Sequence, residues 1–239
     1  MKILMLNQKS KMRYSQIETY VTKLRMYSKN FIIFPSNIYV SKFTESGFQT
    51  GIQNIAENDR ENQTGEITAN QAKSAGIKYC IIGHSERRTN QFENSEILLN
   101  KFNEALNAEL NIVYCVGETL VEYKMNETNN VIYNELDDIF SKIDKSKIKN
   151  LYIAYEPLWA IGSGITPTSI EIDNVSKYIK GYLDDKNIKG NVLYGGSVND
   201  ENIDTLIQMD SIDGFLVGGA SNDHKKVEKM IGIVNKTTK

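Results

Sequence analysis

The chain is poor in the residues that build metal and disulfide sites. Its 239 residues include only two cysteines and two histidines. Neither histidine stands at ligand spacing from a cysteine, so the sequence predicts no metal site. Cys80 and Cys115 lie inside apolar runs, where we expect buried free thiols rather than a disulfide. At Cys115 the same environment favours a core role over a nucleophile.

Long apolar runs and an excess of one charge are missing too. No apolar run approaches the roughly 18 residues that a membrane-spanning helix needs. The first apolar run, Lys2–Leu6, is too short for the core of a signal peptide. The formal net charge is -2, with no basic stripe for nucleic acid or an anionic membrane. These absences predict a cytoplasmic protein that binds neither nucleic acid nor membrane.

What the sequence does contain is a regular succession of short apolar runs and amphipathic segments. The runs are continuous rather than alternating, as in strands buried on both faces. They cover Lys2–Leu6, Phe31–Phe34, Gly51–Asn54, Tyr79–Ile82, Ile112–Val116, Leu151–Tyr155, Asn191–Tyr194 and Gly214–Val217. Eight strands alternating with helices predict an α/β fold, a single (β/α)8 barrel domain over residues 1–239. An open doubly wound sheet is the alternative, but no G-x-G-x-x-G motif follows the first strand.

Three of the predicted strand ends carry reactive side chains, and barrels place their chemistry at those ends. The first strand leads into Asn7 and Lys9, the fourth into His84, and the sixth into Glu156. Alone, such a lysine is more often a surface residue and such a histidine a structural one. The acid and two arginines that follow His84 favour function. After Glu156 comes a segment with two glycines, which predicts a flap closing over a carboxylate base.

Glycine pairs follow the seventh and eighth strands, at Gly195-Gly196 and Gly218-Gly219. Each stands between a strand and a predicted helix, where backbone N–H groups attract anions and glycine lets the anion come close. One glycine pair is usually just a tight turn, but two on consecutive units predict a phosphate cradle. A base, a histidine, a lysine, a cradle and a lid, with no cofactor motif, indicate proton transfer on a small phosphorylated carbonyl compound.

In this order, these residues resemble the triosephosphate isomerase family over the whole chain. The matching strings are Asn7 and Lys9, Thr64-Gly65-Glu66, Gly83-His84-Ser85-Glu86-Arg87-Arg88, Cys115-Val116-Gly117-Glu118, Glu156-Pro157-Leu158-Trp159-Ala160-Ile161-Gly162-Ser163-Gly164, Tyr194-Gly195-Gly196-Ser197-Val198 and Asp213-Gly214-Phe215-Leu216-Val217-Gly218-Gly219-Ala220-Ser221. The resemblance implies a TIM barrel that interconverts dihydroxyacetone phosphate and D-glyceraldehyde 3-phosphate through an enediolate, in glycolysis and gluconeogenesis. It also implies an aldose-ketose isomerase without cofactor, and a homodimer formed through the loop around Thr64-Gly65-Glu66.

The resemblance also implies a role for each site residue. Glu156 removes the proton next to the carbonyl, His84 acts on the substrate oxygens as a neutral imidazole, and Lys9 supplies positive charge. Asn7 hydrogen-bonds the substrate and Glu86 supports Lys9. Four residues offer backbone N–H groups to the phosphate: Gly162, Ser197, Gly218 and Gly219. The lid consists of Pro157, Leu158, Trp159, Ala160, Ile161, Gly162, Ser163, Gly164, Ile165 and Thr166.

Four places depart from the family pattern: Gln8 for a tryptophan with Ser10-Lys11 for Met-Asn, Asn94 for a glutamate, Glu61-Asn62-Gln63 for a Gly-Ala-aromatic run, and Ile165 with Pro167 in the far hinge of the lid. None removes a catalytic group. We therefore expect activity to be retained, with effects on the packing under Lys9, on dimer strength and on lid closure.

Two alternatives to an active isomerase remain at this point. A catalytically weak barrel kept as a sugar-phosphate-binding protein would bind the ligand without converting it, but it would have little use for both a base and a lid. An aldolase would need a Schiff-base lysine at an interior strand end. Glu156 occupies the best such position, which argues against an aldolase.

Overall fold

Eight parallel strands close into a barrel. The computed structural model describes residues 2–161 and 166–236. Its strands are β1 Ile3–Asn7, β2 Ile32–Phe34, β3 Gln49–Ile52, β4 Tyr79–Ile82, β5 Asn111–Val116, β6 Leu151–Tyr155, β7 Asn191–Tyr194 and β8 Gly214–Val217. They follow one another around the barrel in chain order, and β1 pairs in parallel with both β2 and β8, which closes the sheet. The predicted (β/α)8 barrel is confirmed.

The α-helices of the described ranges surround this barrel. They are α1 Tyr14–Leu24, α2 Val40–Glu45, α3 Ala69–Ser74, α4 Ser85–Asn90, α5 Ser95–Asn107, α6 Leu120–Lys124, α7 Thr128–Phe140, α8 Ser169–Asp185, α9 Ile203–Leu206 and α10 His224–Lys236. The longer ones bury one apolar stripe each, as amphipathic helices packed on a sheet do. In α7, for example, Ile132, Leu136 and Ile139 are buried. None of these helices is both long and apolar enough to cross a membrane.

The core has two layers, because side chains alternate across each strand. One layer lies between the strands and the helices and includes Cys80. The other fills the barrel interior with Met5, Ile32, Phe34, Ile81, Val113, Cys115, Tyr152, Ala154, Leu193 and Leu216. Both cysteines are buried free thiols, as predicted. Burial raises the pKa of the Cys80 thiol to about 12, so this group is not a nucleophile at neutral pH.

The predicted position of the third strand is wrong by two residues. The apolar pattern predicts Gly51–Asn54, whereas β3 is Gln49–Ile52 and begins where Gln49 pairs with Ile32 of β2. Gly51 is needed within the strand, since a Cβ there would lie 2.2 Å from Cε1 of Phe34. Gln53 has already left the ladder, and its amide donates to the carbonyl oxygens of Lys9 and Phe34.

Candidate active site

The site lies just above the last layer of the barrel core. Residues two apart on a strand face the same way, so the next inward positions after Met5 and Ala154 are Asn7 and Glu156. The equivalent positions beyond β7 and β8 are Gly195 and Gly218, which contribute no side chain. Polar groups on one side and bare backbone on the other therefore line a cavity of about 580 Å³.

Glu156 is a buried carboxylate at the floor of this cavity, and 2% of the residue is exposed. Its backbone N–H donates to the carbonyl of Val116, which fixes the residue on the end of β6. Its Oε2 accepts the backbone N–H of Ser85 at 3.2 Å, and its Oε1 lies 3.4 Å from Nε2 of His84. The fold thus brings the predicted base, Glu156 after β6, next to His84 after β4.

Two glycines give Glu156 the space that it occupies. A Cβ at Gly195 would lie 2.8 Å from its Cγ, and a Cβ at Gly117 would lie 1.9 Å from its carbonyl oxygen. Real Cβ atoms do not come this close, so both positions need glycine for steric reasons. The sequence interpretation assigned Gly195 to a phosphate cradle alone. The structure gives it a second, packing role against the carboxylate side chain.

His84 is the N-cap of α4, and its side chain is nearly buried. Its Nδ1 accepts the backbone N–H of Glu86 at 3.2 Å. A nitrogen that accepts a hydrogen bond carries a lone pair, so this contact favours the neutral ring with its proton on Nε2. The Nε2–H then faces Glu156 and the cavity, where it is available to a substrate oxygen.

Lys9 has a left-handed backbone with φ 52°, which is uncommon for a non-glycine residue and typical of functional sites. The surrounding polar groups hold it there. Its backbone N–H donates to Oδ1 of Asn7 at 3.2 Å, and its carbonyl accepts from Gln53 at 2.9 Å. Its Nζ lies 2.5 Å from Oε1 of Glu86, the acid predicted to support it.

Glu118 is a buried acid that the sequence interpretation quoted in a motif without giving it a role. It is fully buried, and its Oε1 accepts from the Tyr155 hydroxyl at 3.1 Å and from Nε1 of Trp159 at 2.8 Å. Burial raises the pKa of this carboxyl, and the bonds from Trp159 and Tyr155 oppose the shift. Glu118 therefore anchors the near end of the predicted lid to the end of β5.

The two segments predicted to form a phosphate cradle differ in structure. After β8, a short 3-10 helix runs over Gly219–Asn222 directly from Gly218, as predicted. After β7, no helix starts at Ser197, and α9 begins only at Ile203. The prediction of a helix N-terminus after Gly195-Gly196 is therefore wrong. A turn stands there instead, closed by the Asn202 amide, which donates to the carbonyl of Ser197. Gly218, Gly219 and Ser197 all line the cavity.

Only part of the predicted lid is described. Leu158–Ala160 form a 3-10 turn, the Leu158 N–H donates to the carbonyl of Glu118, and Ser197 Oγ donates to the Ala160 carbonyl at 2.7 Å. Pro157 is buried and Thr166 is exposed. The predictions made for Gly162, Ser163, Gly164 and Ile165 lie outside the described residues.

Two of the departures from the family pattern have a structural reading. Asn94 is the N-cap of α5, where its Oδ1 accepts the N–H of Ile97 at 3.0 Å. A buried carboxylate stands one position earlier: Glu93 Oε1 lies 2.5 Å from both Arg87 Nε and Lys101 Nζ. Nothing in the sequence pattern indicated that Glu93 pairs with Arg87 and Lys101. Gln8 directly follows β1 and is fully buried, and its backbone N–H donates to the carbonyl of Phe34.

Comparison with known proteins adds an independent finding. A family model described as triosephosphate isomerase matches residues 2–235. A triosephosphate isomerase of Buchnera aphidicola subsp. Schizaphis graminum is 33% identical, with 97% of each chain covered. The triosephosphate isomerase of Pseudoalteromonas translucida is 34% identical, with 86% of this chain and 84% of the relative covered. That of Mesomycoplasma hyopneumoniae (strain 232) is 40% identical, with 84% of this chain and 82% of the relative covered.

Proposed function

We propose that Glu156, His84 and Lys9, as parts of one domain, carry out the reaction of this chain. The chain belongs to the triosephosphate isomerase family. Its reaction is therefore the interconversion of dihydroxyacetone phosphate and D-glyceraldehyde 3-phosphate. The observation that carries this assignment is the meeting of the three groups at one cavity. The Glu156 carboxylate and the His84 Nε2 are 3.4 Å apart there, and Lys9 lines the same space.

In the proposed reaction, Glu156 takes the proton from the carbon next to the carbonyl, and the bonding electrons move onto the carbonyl oxygen. The neutral His84 donates its Nε2–H to the substrate oxygens, and Lys9 stabilises the negative charge of the enediolate. Asn7, buried beside Lys9, hydrogen-bonds the substrate. Glu156 then returns the proton to the carbon that held the carbonyl, while the hydroxyl proton of the other carbon passes through His84 to the former carbonyl oxygen, which completes the isomerisation.

The Ser85 N–H gives the proposed base a resting position. A hydrogen bond from a backbone N–H fixes the position of a carboxylate side chain. Oε2 of Glu156 accepts this bond from Ser85. In the proposed reaction the carboxylate leaves this N–H when it moves to the substrate carbon.

The phosphate is assigned to the other end of the cavity. Ser197, Gly218 and Gly219 line the cavity, and so do Lys11 and Lys226. Backbone N–H groups and two lysine ammonium groups suit a dianion. Lys226 is within 3.5 Å of Asp200, so part of its charge is already balanced. Gly162 would complete the cradle from the lid.

The activity is tested with purified protein and glyceraldehyde 3-phosphate in a coupled assay run in D2O. Proton transfer through an enediolate would give turnover and also place deuterium on the carbon next to the carbonyl, which NMR detects. Turnover no faster than buffer alone would refute the assignment. If the protein bound substrate but left both its carbon–hydrogen bond and its isomer ratio unchanged, the catalytically weak sugar-phosphate-binding barrel would be the correct alternative.

A homodimer through the loop around Thr64-Gly65-Glu66 remains part of the proposal. These three residues are exposed, and a polar cavity of about 440 Å³ lies between them and the segment that follows His84. Large apolar side chains stand exposed on the neighbouring units at the same end of the barrel: Tyr14, Ile38 and Phe92, at 82%, 76% and 80%. Exposed apolar groups around a protruding loop suit a self-association surface.

Sedimentation analysis of the dimer uses one variant and one matched control. Ile38→Glu should convert a dimer into a monomer, because it places a charge inside the proposed interface. Ile170→Glu changes an equally exposed isoleucine at the start of α8, away from the loop, and should leave the dimer intact. A wild-type protein that sediments as a monomer at micromolar concentration would contradict the proposal.

A cytoplasmic location also remains proposed, and the two free cysteines fit a reducing compartment.

A further inference from the structure

A half-buried ion pair lies behind the two proposed catalytic side chains. Arg88 of α4 and Glu135 of α7 bring Nη1 and Oε1 to 3.3 Å, and their side chains are 20% and 19% exposed. The guanidinium stacks over the ring of Tyr114, 5.5 Å from its centre. Neither Arg88 nor Glu135 lines the cavity, so neither can touch substrate directly.

Arg88 uses its fork to hold the ends of two strands. Its Nε donates to the carbonyl of Gly83 at 2.7 Å, and its Nη2 donates to the carbonyl of Cys115 at 2.9 Å. Gly83 has φ 73° and directly precedes His84, so it sets the direction in which the histidine leaves β4. A planar guanidinium can satisfy both carbonyls and a carboxylate at once, which a lysine ammonium cannot do with the same geometry.

Glu135 extends the contact to the base. Its Oε2 accepts the N–H of Gly117 at 2.9 Å. Gly117 is packed so tightly on Glu156 that an added Cβ would lie 1.9 Å from the Glu156 carbonyl oxygen. The Tyr114 hydroxyl ties the same helix to β5 by donating to the Glu135 carbonyl at 2.8 Å. A chain of direct contacts thus runs from the ion pair to the backbone of Glu156.

We propose that Arg88 and Glu135 are a positioning pair that sets the distance between His84 and Glu156. The pair joins the turn before His84 to the glycine under Glu156, and without it the carbonyls of Gly83 and Cys115 would lose their donor. A displacement of about 1 Å between reacting groups is enough to cost on the order of 100-fold in rate. This inference rests on the proposed roles of His84 and Glu156.

The decisive variant is Glu135→Gln, because its amide oxygen can still accept from Gly117 while the attraction to Arg88 is lost. At about pH 8, above the raised pKa of Glu135, we expect kcat to fall about 10-fold, with KM changed less than about two-fold, since geometry at the reacting carbon changes but phosphate binding does not. The matched control is Asp137→Asn on the same helix, which breaks an ion pair with Lys186 far from the strand ends. It should leave kcat unchanged.

A second readout does not depend on activity. The imidazole ¹⁵N signals of His84 should shift in Glu135→Gln and stay in place in Asp137→Asn. If Glu135→Gln does not fold, Arg88→Lys decides, because it keeps the positive charge and loses the fork; it should lose kcat in the same way. Equal kcat and unmoved His84 signals in the variant that folds would overturn the proposal. An inactive wild type would instead refute the proposed function, and the His84 signals would still test the pair.

Discussion

The two sides of the barrel mouth contribute different chemical groups and are held in different ways. The side formed by the segments after β1, β4 and β6 presents the side chains of Lys9, His84 and Glu156. Each of these residues accepts a hydrogen bond from a residue on another part of the chain or in the following turn: Gln53, Glu86 and Ser85, respectively. The side formed by the segments after β7 and β8 includes Gly218 and Gly219, which present only backbone to the cavity. Chemistry is thus assigned to the first side and phosphate binding to the second, so variants of the two should divide between kcat and KM.

The largest effect should come from shortening the base. Glu156→Asp keeps the charge but withdraws the carboxylate by one methylene from the substrate carbon. We expect kcat to fall about 1000-fold with little change in KM, because the lost contact belongs to the transition state. Steady-state kinetics with glyceraldehyde 3-phosphate measure both constants. A large rise in KM with an unchanged kcat would move Glu156 to the binding side of the comparison.

The opposite pattern is expected from Gly219→Ala. A Cβ at this position meets no atom within 4 Å, so the fold should tolerate it, but the methyl group would stand in the proposed cradle. We expect KM to rise about 10-fold with kcat nearly unchanged. Gly232→Ala on α10 is the control, because its Cβ would also enter open space, far from the cavity. If Gly219→Ala lowered kcat alone, the two sides would not be separable.

The contribution of Glu135 to the free energy of unfolding should depend on pH. Burial raises the pKa of Glu135 to about 7, with Glu122 and Glu118 adding to the rise and Arg88 and the Gly117 N–H opposing it. A raised carboxyl pKa means that the folded state holds the proton more tightly than the unfolded state. The stability of the wild type relative to Glu135→Gln should therefore fall as pH rises from about 5 to about 8. Urea unfolding across that range should show it, and a difference that rises with pH would contradict the assignment.

The smallest effect should come from a residue that belongs to neither side. Asn94→Ala removes the N-cap of α5 and should lower the free energy of unfolding by about 1 kcal/mol. Because the cap contacts neither the cavity nor the ion pair, kcat and KM should not change. Thermal unfolding and the coupled assay together check this, and a loss of activity would give Asn94 a role that its contacts do not explain.

The sequence predicted the barrel well, and with it the position of Lys9, His84 and Glu156 at one end, since both depend on local pattern. Continuous apolar runs identify strands buried on two faces, and barrel geometry then brings Lys9, His84 and Glu156 to one end. It failed where a partner comes from a distant part of the chain. Arg88 and Glu135 are on different helices, and Trp159 meets Glu118 across two strand ends. No local period encodes such pairs. The sequence also did not predict that Gly195 makes space for the Glu156 side chain, because that side chain comes from a neighbouring strand.

The most direct test of the division between the two sides is Glu156→Gln, measured for both turnover and phosphate binding. Its amide has nearly the size of the carboxylate but cannot take a proton, so kcat should fall at least about 1000-fold. The dissociation constant for inorganic phosphate, measured by calorimetry, should stay within about two-fold of the wild-type value. Wild-type turnover in Glu156→Gln, or loss of phosphate binding without loss of turnover, would contradict the account.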